Sequence, residues 1–200
     1  MLLLREPSEK LINHFIDSQR HSPFSYPEIA ATRGELPSDY IVDHNRVQLG
    51  VGRNTFEHAI NDLRQWKQFD LGWVQILPPE TRIELGAVVA ICAKTYGFWS
   101  LSACRIVYLI NEEAPVKKFG FAYGTLADHV ARGEERFTIE WHREQNSVWY
   151  DILAISRPQH PLVKLASPLA RRLQRRFARD SLQKMVESAR HSLESRPDLS

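Results

Sequence analysis

The sequence predicts an α+β protein in which a curved antiparallel sheet of about seven strands is closed by a long C-terminal helix. Three observations lead to this prediction. A strand-like run is followed by a helical stripe, the apolar period then changes to that of strands over residues 71–156, and a long amphipathic helix ends the chain. Because the apolar side of a sheet must be covered by a second layer, we expect the last helix to close the concave face.

The first 37 residues are expected to form a helix and an irregular connector. Ser8 is a candidate N-cap for this helix, and prolines and a glycine then interrupt every periodic pattern up to residue 37. A domain over residues 38–190 and a flexible tail over residues 191–200 complete the predicted organisation. The apolar stripe of the first helix consists of Leu11, Ile12, Phe15 and Ile16.

The remaining elements follow from local patterns. Residues 40–52 are predicted to form a strand, and a helix with Asn54 as N-cap and Glu57 at the N3 position is expected next. Six runs rich in β-branched and aromatic residues then favour an antiparallel meander. Ser167 and Pro168 have the residue types of an N-cap and a first helical position. The six runs are LGWVQIL, IELGAVVAICAKTYG, WSLSACRIVYLI, KKFGFAYGTL, EERFTIEWH and SVWYDILAIS.

Composition narrows the class of protein. With 43% hydrophobic and 25% charged residues, the 200-residue chain is typical of a globular protein with a sizeable core. No apolar run reaches the roughly 18 residues that cross a membrane, and the N-terminus lacks a signal-peptide pattern. Cys92 and Cys104 have no CxxC spacing, which favours a reducing compartment. We therefore expect a cytoplasmic protein.

Metal, nucleotide and nucleophile motifs find little support in the sequence. The eight histidines are dispersed without metal-ligand spacing, so neither a metal nor another cofactor is expected. Residues 50–57, GVGRNTFE, lack the third glycine and the lysine of phosphate-binding loops, and they favour a tight strand-to-helix turn. His160, in the SRPQHP segment before the last helix, is a weak site candidate.

The hairpin between residues 134–142 and 147–156 supplies the first candidate site residue. An even-length turn puts Glu135 on a face that is otherwise aromatic and aliphatic, with the Tyr150 hydroxyl as the other polar group. The opposite face collects charges that are expected to form a solvated ladder, in which each exposed pair contributes about 0–1 kcal/mol. These charged residues are Glu134, Arg136, Glu140 and Asp151.

A buried ion pair between Arg105 and Glu135 is the central hypothesis. Arg105 is the lone charge on the more aliphatic face of its strand, and the strand between the two residues alternates small with aromatic side chains. If the small side chains face inward, they leave space for the arginine and the glutamate to meet, with Tyr150 nearby. The small residues are Gly120, Ala122 and Gly124.

Two interpretations of this pair remain open. It can be an internal ion pair that fixes strand packing, because removing one partner of a buried pair costs about 3–5 kcal/mol. It can instead be a polar point in an apolar pocket, where it orients an amphipathic ligand or serves acid–base chemistry. The predicted ligand-binding residues are Arg105, Tyr123, Glu135 and Tyr150, and the sequence identifies no catalytic residue.

The C-terminal segment carries the basic excess of the chain. Residues 161–200 hold nine Lys and Arg against four Asp and Glu, whereas the first 160 residues are slightly acidic. A solvated basic face is the simpler interpretation, and weak attraction to an anionic surface is the alternative. The lack of a comparable basic surface elsewhere argues against nucleic-acid binding. The arginines concerned are Arg171, Arg172, Arg175, Arg176 and Arg179.

Resemblance to a known family rests on five longer stretches: GWVQILPP, WSLSACRIVY, FGFAYGTLADHVARGEERFTIEW, VWYDILAISRPQHPL and ARRLQRRFARDS. Over residues 24–186 the chain resembles DUF1990, a family of uncharacterised bacterial and plant proteins in the START/birch-pollen-allergen-like superfamily, also called SRPBCC. The resemblance implies a helix-grip fold, in which the sheet grips the C-terminal helix. Members of the superfamily commonly hold lipids, polyketides or other hydrophobic molecules, and some are cyclases or hydrolases. The resemblance implies no catalytic residue set.

Three functional hypotheses follow. The first is a pocket protein for a hydrophobic or amphipathic small molecule, such as a lipid-like compound, an isoprenoid or a polyketide. The second is a metal-independent, cyclase- or hydrolase-like enzyme that uses Glu135 or Asp151 as acid or base, which a strongly shifted carboxylate pKa in an open cavity would favour. The third is an interaction module whose basic helix docks on an anionic partner.

Overall fold

The structure is a computed structural model that describes residues 1–127, 129, 131–158 and 167–194. The site candidate His160 and residues 195–200 of the predicted tail lie outside this part of the chain. The elements are β1 (Leu2–Leu3), α1 (Glu9–Gln19), β2 (Ile41–Val51), α2 (Gly52–Arg64), β3 (Val74–Leu77), β4 (Val88–Thr95), β5 (Phe98–Glu112), β6 (Lys117–Thr125), β7 (Ala131–His142), β8 (Ser147–Pro158) and α3 (Ser167–Glu194), with short 3-10 turns at Ala31–Arg33 and Lys67–Phe69.

The starts of the first two helices test the predicted caps. Ser8 caps α1 as predicted, since its hydroxyl accepts a hydrogen bond from the Leu11 N–H at 3.4 Å. The predicted Asn54 cap of α2 is wrong, because the helix begins earlier and Val51, in extended conformation, is its N-cap. Strand β2 runs directly into this helix, and the Gly52 N–H donates to the carbonyl of Asn146 in the β7–β8 turn at 2.9 Å.

The strands form one antiparallel sheet in the order β2-β8-β7-β6-β5-β4-β3, and the short β1 pairs with β5. The predicted meander is therefore confirmed from β3 to β8. Strand β2, which precedes α2 in the chain, joins the far edge by pairing with β8. The sheet curls around α3, which also packs against β2, α2 and the turn at Lys67–Phe69. The predicted α+β helix-grip fold is confirmed.

The main core lies between the concave face of the sheet and the helices. Its strands contribute aromatic and β-branched side chains that α2 and α3 cover, which is the pairing of layers that a one-sided apolar sheet requires. The largest fully buried members are Phe56, Leu63, Phe69, Phe121, Phe137, Ile139, Tyr150 and Ile152.

The convex face of the sheet is also covered, by α1 and the connector that follows it. Phe15 and Ile16 of α1 pack against Leu101 and Ala103 of β5, and Tyr26 packs beside β8 in a second small cluster. Much of the sheet is therefore buried on both sides. In such strands an aliphatic face does not identify the concave side, which matters for the position of Arg105.

The β7–β8 hairpin has the even-length turn that the sequence predicts. Trp141 lies opposite Val148, and Phe137 lies opposite Ile152. These residues belong to or pack against the main core, so the assignment of Glu135 to the concave face is confirmed.

Both cysteines are buried as free thiols. Burial raises the pKa of Cys92 to about 11, and burial also holds the pKa of Cys104 well above its ordinary value. Since the thiolate is the reactive form, neither side chain is a nucleophile at neutral pH. Among the helices of the described chain, none is both long and apolar enough to cross a bilayer.

Candidate functional site

A cavity of about 410 Å³ lies between the concave face of the sheet and the first half of α3, and it is partly open to solvent. It extends across the sheet from β2 at one edge to β3 at the other. Its apolar wall includes Phe69, Trp73, Val74, Ile91, Ala93, Ile152, Ala154, Leu173, Phe177 and Ala178. Its polar residues include Asp43, Asn45, Thr95, Ser100, Tyr123, Thr125, His129, Glu135, Gln174 and Arg175.

Tyr123 and Glu135 form the polar pair inside this cavity. They face each other across the β6–β7 ladder, and the Tyr123 hydroxyl donates a hydrogen bond to Glu135 Oε2 at 2.7 Å. Within the described residues no second hydrogen bond reaches this carboxylate. Glu135 therefore keeps acceptor capacity that points into open volume rather than into packed protein.

The environment of the Glu135 carboxyl favours its neutral form. Burial raises its pKa to about 7, the nearby charge of Asp43 raises it as well, and the hydrogen bond from Tyr123 acts in the opposite direction. Burial also holds the pKa of Tyr123 well above its ordinary value, so its phenol stays protonated and keeps donating. At neutral pH the cavity thus contains a carboxyl group poised between its two protonation states.

Tyr150 lies on the concave face but outside the cavity lining. It is fully buried, and its hydroxyl is 3.0 Å from the Ser181 hydroxyl, so it joins β8 to α3. In this position it supports the helix that forms the cavity wall. Contact between Tyr150 and a ligand stays a prediction.

The predicted ion pair between Arg105 and Glu135 is wrong. Arg105 lies on the convex side, where its Nη2 donates to the carbonyls of Gln19, Arg20 and Ser22 at 3.3, 2.8 and 2.9 Å. The guanidinium binds carbonyls at and just after the C-terminal end of α1, an arrangement that also suits the helix dipole. Its role in the structure is to attach α1 to the sheet.

The error has a specific physical cause. The aliphatic face of β5, with Leu101 and Ala103, is covered by α1, whereas Cys104 and Ile106 face the main core. The small residues of β6 also face outward, opposite to the expectation. Ala122 packs in a convex-side cluster, and a Cβ at Gly124 would overlap the ring of Tyr26.

Glu134 is not part of a solvated ladder, because it is buried at 2% exposure beneath the N-terminal connector. Its carboxylate accepts hydrogen bonds from the Tyr26 hydroxyl at 2.7 Å, the Ala30 N–H at 2.8 Å and the Thr32 N–H at 2.9 Å. The Thr32 hydroxyl is a fourth donor. The carboxylate of Glu134 is thus saturated by one folded segment, and its role is structural.

Asp151 also departs from the predicted ladder. It is buried on the convex side, with one oxygen 2.6 Å from His44 Nε2 and the other 3.2 Å from Arg136 Nη2. It does not line the cavity. Of the predicted ladder, Glu140 does form outer ion pairs, with Arg46 at 2.7 Å and with a lysine of β6.

Two sets of contacts hold the first half of α3 over the cavity. On the β2 side Arg171 makes a bidentate ion pair with Asp43, and Gln174 Nε2 donates to the Ser156 hydroxyl at 3.2 Å. On the β3 side the Trp73 Nε1–H donates to Asp180 at 3.0 Å. Arg176 also lies over the Trp73 ring, 4.3 Å from its centroid.

Several cavity residues were not predicted from the sequence. Asp43 and Asn45 of β2 reach the cavity because β2 pairs with β8 at the sheet edge, a long-range contact without a local signal. His129 lines the cavity from the turn before β7, and burial lowers its pKa to about 4, so it is neutral at pH 7. Across the described residues, no three His, Cys, Asp or Glu side chains are grouped to hold a metal ion.

Comparisons with known proteins agree on a family and a fold. The family described as "Domain of unknown function (DUF1990)" matches residues 25–184. A UPF0548 protein of Dictyostelium discoideum is 38% identical over 206 residues, covering 94% of this chain and 95% of the relative. A UPF0548 protein of Arabidopsis thaliana is 34% identical over 158 residues, or 76% of each chain.

Among solved structures, the hypothetical protein jhp0584 from Helicobacter pylori is similar in fold. It superposes with a TM-score of 0.51 at 11% sequence identity, covering 84% of this chain and 96% of that protein. At this level of identity the similarity concerns the backbone arrangement and leaves the site to be argued from its own residues.

Proposed function

The chain belongs to the DUF1990 family, and we propose from its cavity that it binds a hydrophobic or amphipathic small molecule between the sheet and α3. The observation that carries this proposal is the Glu135–Tyr123 pair, which lines an otherwise largely apolar space of about 410 Å³. Lipid-like compounds, isoprenoids and polyketides have the required chemistry.

The size and walls of the cavity support this proposal. Pockets for small ligands typically measure about 300–1,000 Å³ and combine apolar walls with a few convergent polar groups. The aromatic rings of Phe69 and Phe177 lie 4.8 Å apart at the side of α3, and both line the cavity. Such walls favour apolar ligand atoms by removing them from water, at about 25 cal/mol per Å² of buried apolar surface.

The polar pair supplies orientation. One oxygen of Glu135 accepts the Tyr123 hydrogen bond, and the remaining capacity of the carboxyl is directed to the cavity. In its neutral form this carboxyl can donate to a ligand carbonyl or hydroxyl oxygen, and in its ionised form it can accept from a ligand hydroxyl. A ligand with one polar group and an apolar body therefore fits better than a pure hydrocarbon.

Native mass spectrometry of the protein purified from cells tests this proposal. We expect a retained small molecule in the wild type and its loss in Ala154→Leu, because Ala154 lines the cavity beside Glu135. The matched control is Ala170→Leu, the same change at an exposed site of α3 outside the lining. Equal retention by both variants would contradict binding in the cavity.

A second candidate function is catalysis in the same cavity. The favouring observation is the Glu135 pKa of about 7, since a carboxyl near the working pH can both accept and donate a proton. Asp151, the other predicted acid or base, lies on the convex side and is not used in this proposal. Incubating a recovered ligand with wild type and with Glu135→Gln tests the idea: a mass change with the wild type alone supports catalysis, and an unchanged ligand in both supports binding only.

A further inference from the structure

The five arginines at the start of α3 differ in how their charge is used. Arg171 is paired with Asp43, and both Arg176 and Arg179 are paired with Asp180. Arg172 and Arg175 are exposed and form no ion pair or hydrogen bond within the described residues. The basic face predicted from the sequence is therefore reduced, in the structure, to two uncompensated cations.

These two cations differ in position. Arg175 lines the cavity, as do Gln174 beside it and Ala178 nearly one helical turn further on. Arg172 lies outside the lining. Because Arg175 both lines the cavity and is exposed to solvent, this residue lies at the rim and not in the interior. One unpaired positive charge thus borders the opening of an apolar space.

Apart from Arg132, the other charges of the cavity wall are already compensated or, in the case of Glu135, poised between two protonation states. Asp43 is engaged by Arg171, and Glu134 is saturated by donors from the N-terminal connector. Glu135 lies within the cavity on the sheet side, beside Tyr123. Arg132, which also lines the cavity, has a buried Nε without a hydrogen-bond partner. The permanently charged groups of this wall that have no ion-pair partner among the described residues are therefore positive.

We propose that the cavity ligand is an amphipathic anion, with its carboxylate or phosphate group bound by Arg175 at the rim and its apolar body directed toward Glu135 and the aromatic wall. This inference rests on the proposed binding function and specifies the class of ligand. Guanidinium groups bind carboxylate and phosphate through paired N–H donors, and the apolar wall accommodates the body. The ionised form of Glu135 opposes the reverse orientation because like charges would then lie together.

Isothermal titration calorimetry with three ten-carbon probes tests this inference. Decanoate, decyl phosphate and decanol share the same apolar body and are used below the concentrations at which they aggregate, at pH 7.5 and low salt. We expect the two anions to bind the wild type more tightly than decanol. In Arg175→Gln their affinity should fall about 5- to 10-fold, the effect of losing one charge-assisted contact, while the affinity for decanol stays unchanged.

Arg172→Gln is the matched control. It removes the same charge from the same exposed face of α3, so general attraction of anions to the helix would weaken equally in both variants. A loss confined to Arg175→Gln supports a specific contact. Equal losses in the two variants, or equal affinity of the wild type for decanol and the anions, would overturn the anion inference and leave the proposed pocket intact. Absence of binding by all three probes, together with no retained molecule in native mass spectrometry, would instead count against the pocket function itself.

Discussion

Glu134 and Glu135 are neighbours in the chain, yet they show two different uses of a carboxylate. Glu134 faces the convex side, where four donors from the N-terminal connector bind it. Glu135 faces the cavity, where one tyrosine donates to it and no other side chain or backbone group in the described part of the chain does. The number of hydrogen-bond donors within the protein therefore distinguishes a structural carboxylate from a candidate binding group, even when both are glutamates of the same strand.

The difference also explains why β7 begins with charges on both faces. The apolar alternation of the strand starts only at Phe137, so the first residues lie beyond the dense part of the core. On one side of this segment the connector supplies backbone N–H groups, and on the other side α3 leaves a space. A carboxylate is compatible with both surroundings, for different reasons.

The largest expected effect is from Glu134→Gln. Loss of the charge weakens four hydrogen bonds at a buried site, and the NH₂ group of the glutamine would face groups that are themselves donors. We therefore expect the free energy of unfolding to fall by about 3–5 kcal/mol. Urea denaturation with fluorescence detection measures it. A loss below about 1 kcal/mol would mean that the connector holds its position without this carboxylate.

The next largest effect is expected from Arg105→Met. This change removes the donor to three carbonyls at the end of α1 and keeps much of the apolar stem, so we expect a loss of about 2–3 kcal/mol. Hydrogen exchange should show faster opening in α1, while ligand retention at subsaturating concentration stays at the wild-type level. Lost retention with an intact α1 would return Arg105 to the list of binding residues.

Glu135→Gln should have a smaller effect of opposite sign. Because the folded-state pKa is raised from the ordinary 4.5 to about 7, the folded state binds the proton more tightly, and wild-type stability falls as pH rises from about 4.5 through 7. The variant has no ionisable carboxyl at this position, so it avoids the cost of a buried charge. It should be more stable than the wild type by about 1–3 kcal/mol at pH 8, with no gain near pH 4.5. Urea denaturation at both pH values measures the difference, and a pH-independent difference would contradict the raised pKa.

The smallest effect is expected from Tyr123→Phe. Removing the hydroxyl eliminates the hydrogen bond that lowers the Glu135 pKa, so this pKa should rise further, at a stability cost of about 1 kcal/mol. Carbon-13 NMR titration of the glutamate carboxyls reports the pKa directly. Tyr150→Phe is the control, because its hydroxyl is bonded to Ser181 and its removal should leave the Glu135 carboxyl hydrogen bond intact.

Residue positions that depend on a local rule could be predicted from the sequence, whereas those that depend on contact with a distant segment could not. The parity of an even turn was sufficient to place Glu135 on the concave face. The same reasoning misplaced Arg105, because α1 buries the outer face of β5 and makes it as aliphatic as an inner face. No local pattern indicates that a segment 83–86 residues away in the chain will cover a strand.

The cavity itself was only partly predictable. The helix that closes the cavity was predicted from the apolar spacing in the last segment. The charge at the cavity rim, however, depends on which arginines of α3 form ion pairs with acidic residues. Arg171 finds Asp43 across the β2–β8 edge, and Arg175 finds none among the described residues. That division depends on the rotation of α3 about its axis over the sheet, which the apolar spacing of the sequence fixes only to within a neighbouring position.

The two sequestered thiols have a practical consequence for following α3 in solution. Cys92 and Cys104 are both buried, so maleimide reagents will react slowly with the native chain. Ala170→Cys, on the exposed surface near the start of α3, would then be the one readily labelled position. A fluorophore attached there would report directly whether the helix moves when the cavity fills, without any cysteine having to be removed first.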